Sequence, residues 1–254
     1  MDISQNDFTA GHYAPRAQDY VDSRDHSQGA DLDQMEALLR GAGLSRVLDL
    51  GCGGGHVSYR AAAHAGQVVA CDVTPAMLEA VARTAAERGL GNVVTQQAAA
   101  ERLPFADGEF DAVLCRFTAH HWSDWETGLR EARRVLKPGA LAVFMDAVAP
   151  ADRAADSHLQ AVELLRDASH IRDYGVAEWL AALARAKFGI ETVTCRKLRM
   201  VFPVWTARTR TPRLNADAVR ALQDGASTTV REHFAIGADG SFDLDTATMV
   251  VRAA

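Results

Sequence analysis

The chain has 254 residues, 48% of them hydrophobic and 24% charged, ordinary globular proportions that exclude disorder as the main state. At about 150 residues per domain the length fits one or two domains. Lys and Arg total 27 against 33 Asp and Glu, a net charge of −6, which disfavours a protein that lives on nucleic-acid phosphates. No apolar run approaches the roughly 18 residues of a membrane helix. Residues 1–10 lack the basic and apolar regions of a signal peptide. Cys52, Cys71, Cys115 and Cys195 form no CxxC pair, so neither a disulfide framework nor a metal site is expected. The expectation is a reduced, cytoplasmic protein with no membrane and no nucleic-acid partner.

Residues 1–30 are polar with scattered aromatics, Phe8, Tyr13 and Tyr20, and read as a loop and short helices forming a lid. From Asp31 the helical spacing of Leu32, Met35, Leu38 and Leu39 predicts a helix that Gly41 and Gly43 stop. Strands and helices then alternate. Arg46–Leu50 is a short strand, followed by a glycine loop and a helix around Val57–Ala65. Gln67–Cys71 is a second strand. Thr74 and Pro75 open a helix running to about Arg88. Asn92–Gln96 and Phe110–Cys115 are the third and fourth strands. Trp125–Leu136 is a helix ended by Lys137-Pro138-Gly139, and Ala140–Met145 is a fifth strand. Apolar strands separated by helices imply right-handed crossovers and a mostly parallel α/β sheet covered on both faces.

Beyond Pro150 the pattern loosens. Helices are expected at about Asp156–Ala168, Val176–Lys187 and Ala216–Leu222. Ile190–Phe202 is strand-like until Pro203 interrupts it, and Thr246–Arg252 could be a last strand. The reading is one domain over 31–254 with insertions at about 150–180 and 203–245. Long insertions over strand ends usually form a cap or substrate pocket.

The most informative segment is Val47 to Gly55, where a strand delivers the chain to Gly51 and Gly53. These can adopt positive φ and let a ligand approach the backbone. The loop lacks the lysine and hydroxyl of a phosphate-cradling ATPase loop. Asp49 would repel a pyrophosphate but pair with a cationic amino group. Asp72, at the end of the next strand, stands where a carboxylate accepts from ribose hydroxyls.

The segment Asp49-x-Gly51-x-Gly53-x-Gly55 resembles motif I of class I S-adenosylmethionine-dependent methyltransferases. The resemblance continues through Cys71-Asp72-Val73-Thr74-Pro75-Ala76-Met77-Leu78 and Ala100-Glu101-x-Leu103-Pro104-Phe105-x-Asp107-x-x-Phe110-Asp111. It ends with Glu131-x-x-Arg134-Val135-Leu136-Lys137-Pro138-Gly139-Ala140. Together these segments, over about residues 45–146, are similar to the UbiE-like branch. Ser169-His170-x-Arg172-x-Tyr174 and Arg208-x-Arg210-Thr211-Pro212 also resemble a YafE-like bacterial subgroup.

The resemblance implies a Rossmann-like, seven-stranded, mostly parallel sheet with the last strand antiparallel. It also implies S-adenosylmethionine as cofactor and S-adenosylhomocysteine as product. Asp49, Gly51, Cys52 and Gly53 would hold the methionine portion, Asp72 the ribose, and Val73 and Met77 the adenine. Ala100 and Glu101 would lie at the adenine edge, and Arg116 near the methionine end. Ala99 stands where the family often has an Asp, so adenine recognition would fall to backbone groups or Glu101. Tyr20, His26 and Asp31 are candidates to close over the cofactor.

Methyl transfer from a sulfonium needs a base only when the acceptor carries a proton near the transition state. His120 and His121, after strand four, are the candidates, with packing at a helix start as the alternative for each. His26, His170, Arg172, Tyr174, Trp205 and Arg208 are candidates for a small-molecule acceptor, flat or anionic, held by stacking and charge-assisted bonds. The same groups could instead be surface arginines over core aromatics. The function expected is methyl transfer to carbon, oxygen or nitrogen of a small molecule, by a monomer or homodimer. The alternatives are a non-catalytic cofactor-binding regulator and an NAD-dependent oxidoreductase.

Overall fold

The computed structural model describes residues 3–21 and 27–254; His26 lies outside them. Before the sheet come α1 (Gln5–Tyr13), a 3-10 turn, α2 (Ala17–Val21) and α3 (Ala30–Leu39). The sheet elements alternate as β1 (Leu44–Leu50), α4 (His56–Ala61), β2 (Ala65–Asp72), α5 (Pro75–Glu87), β3 (Val93–Gln97), β4 (Phe110–Arg116), α6 (Trp125–Val135) and β5 (Leu136–Ala147). Then follow α7 (Arg153–Arg166), α8 (Val176–Arg185), β6 (Phe188–Met200), α9 (Phe202–Arg208), α10 (Arg213–Asp224), α11 (Thr228–His233) and β7 (Phe242–Ala253).

The strands form one sheet in the order β3-β2-β1-β4-β5-β7-β6. β3, β2, β1, β4 and β5 pair in parallel, while β7 runs antiparallel between β5 and β6. This is the expected seven-stranded α/β sheet. β1, β2, β4 and β5 are buried on both faces because helices cover both, while the edge strand β3 is largely exposed. On one face Leu48, Leu50, Val113 and Phe144 pack with Trp125, Leu129, Trp179 and Leu183 from α6 and α8. On the other, Val47, Ala112, Leu114 and Val143 meet Leu32, Met35 and Leu39 of α3 and Val57 of α4.

Three local expectations change. The helix after the glycine loop ends at Ala61, and Ala65 already belongs to β2. Leu136 begins β5, which includes Lys137-Pro138-Gly139. Pro203 interrupts nothing: it sits in the first turn of α9, where a missing N–H costs little. Two short helices, α9 and α11, were not predicted. They join α7 and α10 in a separate cluster of Leu159, Trp205, Val219 and Phe234 against Phe242 and Leu244. α7, α9, α10 and α11 thus gather over one end of the sheet, while α8 packs on its face.

The Leu103-Pro104-Phe105 and Glu131-x-x-Arg134 motifs are parts of one clamp. Arg134 donates to the carbonyls of Leu103 (3.0 Å) and Phe105 (2.8 Å) and to Asp107 (2.8 Å). Its Nε bonds Glu131 (2.7 Å), whose other oxygen accepts from the Leu103 N–H (2.9 Å). This fastens the connection between β3 and β4 onto α6. Arg134→Ala leaves carbonyls and Glu131 without their charged partner, and is expected to cost about 1–3 kcal/mol in urea unfolding at neutral pH.

Candidate active site

The C-terminal ends of β1, β2, β4 and β5 open on a cavity of about 260 Å³. In open α/β sheets ligands bind at this edge. One half is built from the glycine loop. The N–H groups of Gly51 and Cys52 both donate to the Cys71 carbonyl (2.8 and 2.9 Å). Gly51 has φ of 73°, and a Cβ there would collide with the Thr118 side chain. At Gly54 a Cβ would collide with the Tyr20 carbonyl. Glycine is therefore required at these two points by strain and by space.

Asp72, closing β2, accepts from the Gly53 N–H (3.0 Å) on one oxygen and the Thr74 N–H (2.9 Å) on the other. Burial raises its pKa, against those hydrogen bonds. Asp49 is 1% exposed. Ser58 Oγ donates to its Oδ2 (2.6 Å), while Oδ1 is buried without a partner. Burial pushes the Asp49 carboxyl up to about 7, with the Ser58 bonds opposing. An unpaired buried carboxylate oxygen beside a glycine loop fits a cationic amino group and opposes a phosphate.

The cavity is also lined by the predicted Tyr20, Gly51, Cys52, Gly53, Val73, Met77, Ala100, Glu101 and Arg116. Glu101 Oε1 already accepts from Ser123 (2.8 Å) and the Asp124 N–H (3.1 Å). Ala99 is outside the lining, its carbonyl taken by the Arg102 N–H (3.1 Å). Arg116 Nε is bound to Asp31 Oδ2 (2.5 Å), which ties the end of β4 to α3. After Arg116, Phe117 has φ of 50°, a strained conformation for a bulky residue. Its N–H donates to the Met145 carbonyl (2.8 Å), turning the chain into the histidine segment.

His120 and His121 both line the cavity, in opposite electrostatic settings. His120 Nδ1 lies 2.6 Å from Asp146, which is 2% exposed. Asp146 also accepts from the N–H groups of Ala119 and Ala147 (both 2.9 Å). Burial alone would lower the His120 pKa, but Asp146, with Asp173 and Glu163 farther off, raises it to about 9. His120 Nε2 makes no hydrogen bond among the described residues. His121 lies 3.0 Å from the Tyr13 hydroxyl and 3.1 Å from the Ser169 carbonyl. Burial and the neighbouring His120 lower its pKa to about 4. It is therefore a neutral ring, fully engaged with its neighbours.

Of the acceptor candidates, Trp205 and Arg208 line the cavity. His170, Arg172 and Tyr174 do not. His170 Nε2 is 3.1 Å from Gln160 Oε1, and its ring stands 5.8 Å from that of His120. Arg172 pairs with Asp156 (3.1 Å) and Glu178 (3.6 Å). Tyr174 stacks on Trp125 at 3.7 Å beside a separate depression. Sequence reasoning passed over Asp146, Glu163 and Arg166, and gave Asp173 and Tyr13 no role of their own. The acid closing β5 was the one available signal, since Asp49 and Asp72 near the ends of β1 and β2 had been singled out.

Comparison with known proteins agrees with this geometry. Residues 48–144 match a family model described as a methyltransferase domain. The chain is 44% identical over 191 residues to the uncharacterized protein YafE of Escherichia coli, covering 75% of this chain and 92% of that one. It is 32% identical over 224 residues, 88% of each chain, to the uncharacterized methyltransferase YcgJ of Bacillus subtilis. The crystal structure of YcgJ matches with a TM-score of 0.84 at 30% identity, over 87% of this chain and 97% of that one. Over 121 residues, 44% of this chain and 48% of the relative, it is 36% identical to the ubiquinone/menaquinone biosynthesis C-methyltransferase UbiE of Serratia proteamaculans. Fold and sequence define an S-adenosylmethionine-dependent methyltransferase. The chain belongs to the class I methyltransferase family, in its UbiE-like branch.

The His120–Asp146 pair also carries stability. With the folded pKa near 9 above the ordinary value of about 6.5, the charged pair contributes fully below about pH 6.5. That contribution is lost as pH rises through 9. Asp146→Asn is expected to cost about 3 kcal/mol at pH 6 and measurably less at pH 9.5, read by urea unfolding at both pH values.

Proposed function

We propose that the protein transfers a methyl group from S-adenosylmethionine to a small-molecule acceptor by in-line displacement, releasing S-adenosylhomocysteine. The observation that carries this reading is the joining of two halves in one cavity: the glycine loop with Asp49 and Asp72, and a histidine nitrogen offered by the Asp146 pair. Bound there, S-adenosylmethionine supplies a methyl group already activated on a sulfonium. The residues contribute orientation, exclusion of water and a proton acceptor.

In this reading Asp49 and the loop Gly51–Gly53 hold the amino-acid end, with the unpaired Asp49 oxygen receiving its ammonium. Asp72, fixed by the Gly53 and Thr74 N–H groups, receives the ribose hydroxyls. Val73 and Met77 flank the adenine, and Ala100 and Glu101 border its edge. Arg116 keeps the methionine end of the cavity in shape through Asp31. Tyr20 and Tyr13 close the cavity from the N-terminal helices. His120 takes the acceptor's proton at Nε2, and Asp146 steadies the imidazolium that results. His121, bonded to Tyr13 and Ser169, orients rather than accepts.

Calorimetric titration tests the cofactor half. S-adenosylhomocysteine should bind wild type at micromolar levels and Asp72→Ala at least tenfold more weakly, with NAD(H) not binding. NAD(H) binding in preference to S-adenosylhomocysteine would overturn the reading. Pairing with an ammonium favours ionised Asp49, whose free pKa is about 7. Affinity should therefore strengthen as pH rises from 6 to 8, and Asp49→Asn should flatten that dependence.

For the acceptor half, His120 is imidazolium at neutral pH and gains its basic form as pH rises through about 9. Turnover of an acceptor that must lose a proton should climb over that range and level off above it. His120→Gln should abolish the climb and lower kcat by about a hundredfold or more, with S-adenosylhomocysteine affinity unchanged.

A further inference from the structure

The wall of the cavity opposite the glycine loop combines two kinds of surface. Ala147, Met200, Trp205 and Leu244, all buried, join Leu198 in an apolar slot. Beside it lie Glu163, Arg166 and Asp173, three ionisable groups with little water around them. Two of these are mutually satisfied. Arg166 bonds Glu163 (3.3 Å) and the Trp205 carbonyl (3.2 Å), and lies over the Trp205 ring at 5.0 Å. Asp173 is the exception. It is 1% exposed, its Oδ2 is buried without a partner, and it pairs with no cation among the described residues.

Its position is nevertheless firmly held. Gln160 Oε1 accepts from the Asp173 N–H (3.0 Å), and Gln160 Nε2 donates to the Asp173 carbonyl (2.9 Å). A carboxyl fixed by its backbone and left unsatisfied at a cavity wall is preorganised for a ligand group. Burying it without a partner costs stability that a structural role would not require. Burial raises its pKa, so a donor or cation arriving there recovers energy that the free protein forgoes. The charges of His120 and Arg166 oppose that rise, while Glu163 and Asp146 add to it; none of them bonds the unpartnered Oδ2.

We propose that Asp173 is the specificity-determining residue for the methyl acceptor, and that the acceptor is an amphipathic amine. Its ammonium or amino group meets Asp173, and its alkyl or aryl body lies along Leu198, Met200, Trp205 and Leu244. This rests on the methyltransferase reading above and extends it to a substrate class. Arg208 lies on the same cavity, so an anionic acceptor is the competing outcome.

The test uses the full chain saturated with S-adenosylhomocysteine. Amines with phenyl, indolyl and hexyl bodies are titrated against the carboxylates of the same bodies. At least one amine should bind tenfold or more tightly than its matched carboxylate. Asp173→Asn and Asp173→Ser should each erase that preference while leaving S-adenosylhomocysteine affinity within twofold, which also shows that both variants fold. Equal or tighter carboxylate binding, no binding by any amine, or an amine preference that survives both substitutions would overturn the proposal. Failure of S-adenosylhomocysteine to bind wild type would instead strike the cofactor reading, and the amine series would then be run on the free protein and judged by the same criteria.

Discussion

One constraint organises this molecule: near the C-terminal ends of its parallel strands, buried acids hold backbone N–H groups that would otherwise be orphaned. Asp72 at the end of β2 fastens the turn after β1 to the start of α5, through Gly53 and Thr74. Asp146 near the end of β5 does the same for the segment after β4, through Ala119. Burying a carboxylate is costly unless such donors meet it. Each acid therefore fixes a loop; Asp72 itself lines the cavity, and Asp146 reaches it through His120. Gly51 and Gly54 admit the close approaches this geometry needs, to Thr118 and Tyr20. The cavity is thus a by-product of how the sheet edge satisfies its own polar groups.

His120 and His121 show how little sequence position determines chemistry. They are adjacent, their rings are 4.2 Å apart, and both are half-buried. One is held charged by Asp146 and the other neutral by burial and the first ring's charge. Coupling of this kind separates the roles of two identical side chains, one available to a ligand and one committed to Tyr13 and Ser169.

The glycine-loop half of the cavity was legible because its signals are local. The run Val47–Gly55 contains strand, turn glycines and acid within nine positions, and Asp72 follows at the next strand end. The apolar strands β1, β2, β4 and β5 were equally plain, being covered on both faces. The opposite wall was legible only at Trp205 and Arg208. Ala147, Glu163, Asp173, Leu198, Trp205 and Leu244 are dispersed over almost a hundred residues, and meet only through tertiary packing. Asp146 sits inside the apolar run Ala140–Ala147, where a lone acid reads as a strand end without its partner. Helices as short as α9 and α11 have too few turns for a periodic signal. The motif at Leu103-Pro104-Phe105 and Arg134 was read correctly as a family mark, yet most of its bonds are structural.

The placement of β7 has a consequence for how the protein is made. β6 is joined to the rest of the sheet only through β7, which pairs with β5 on one side and β6 on the other. During synthesis, β1 to β5 can assemble with their helices while β6 has no strand to dock on. The edge of β5 stays open until residues past Phe242 leave the ribosome. The glycine-loop half of the cavity therefore has the chance to form early from sequence-near contacts, while the opposite wall must wait for long-range closure. Until that closure the nascent chain exposes an unpaired apolar strand, the interval in which it would most need a chaperone.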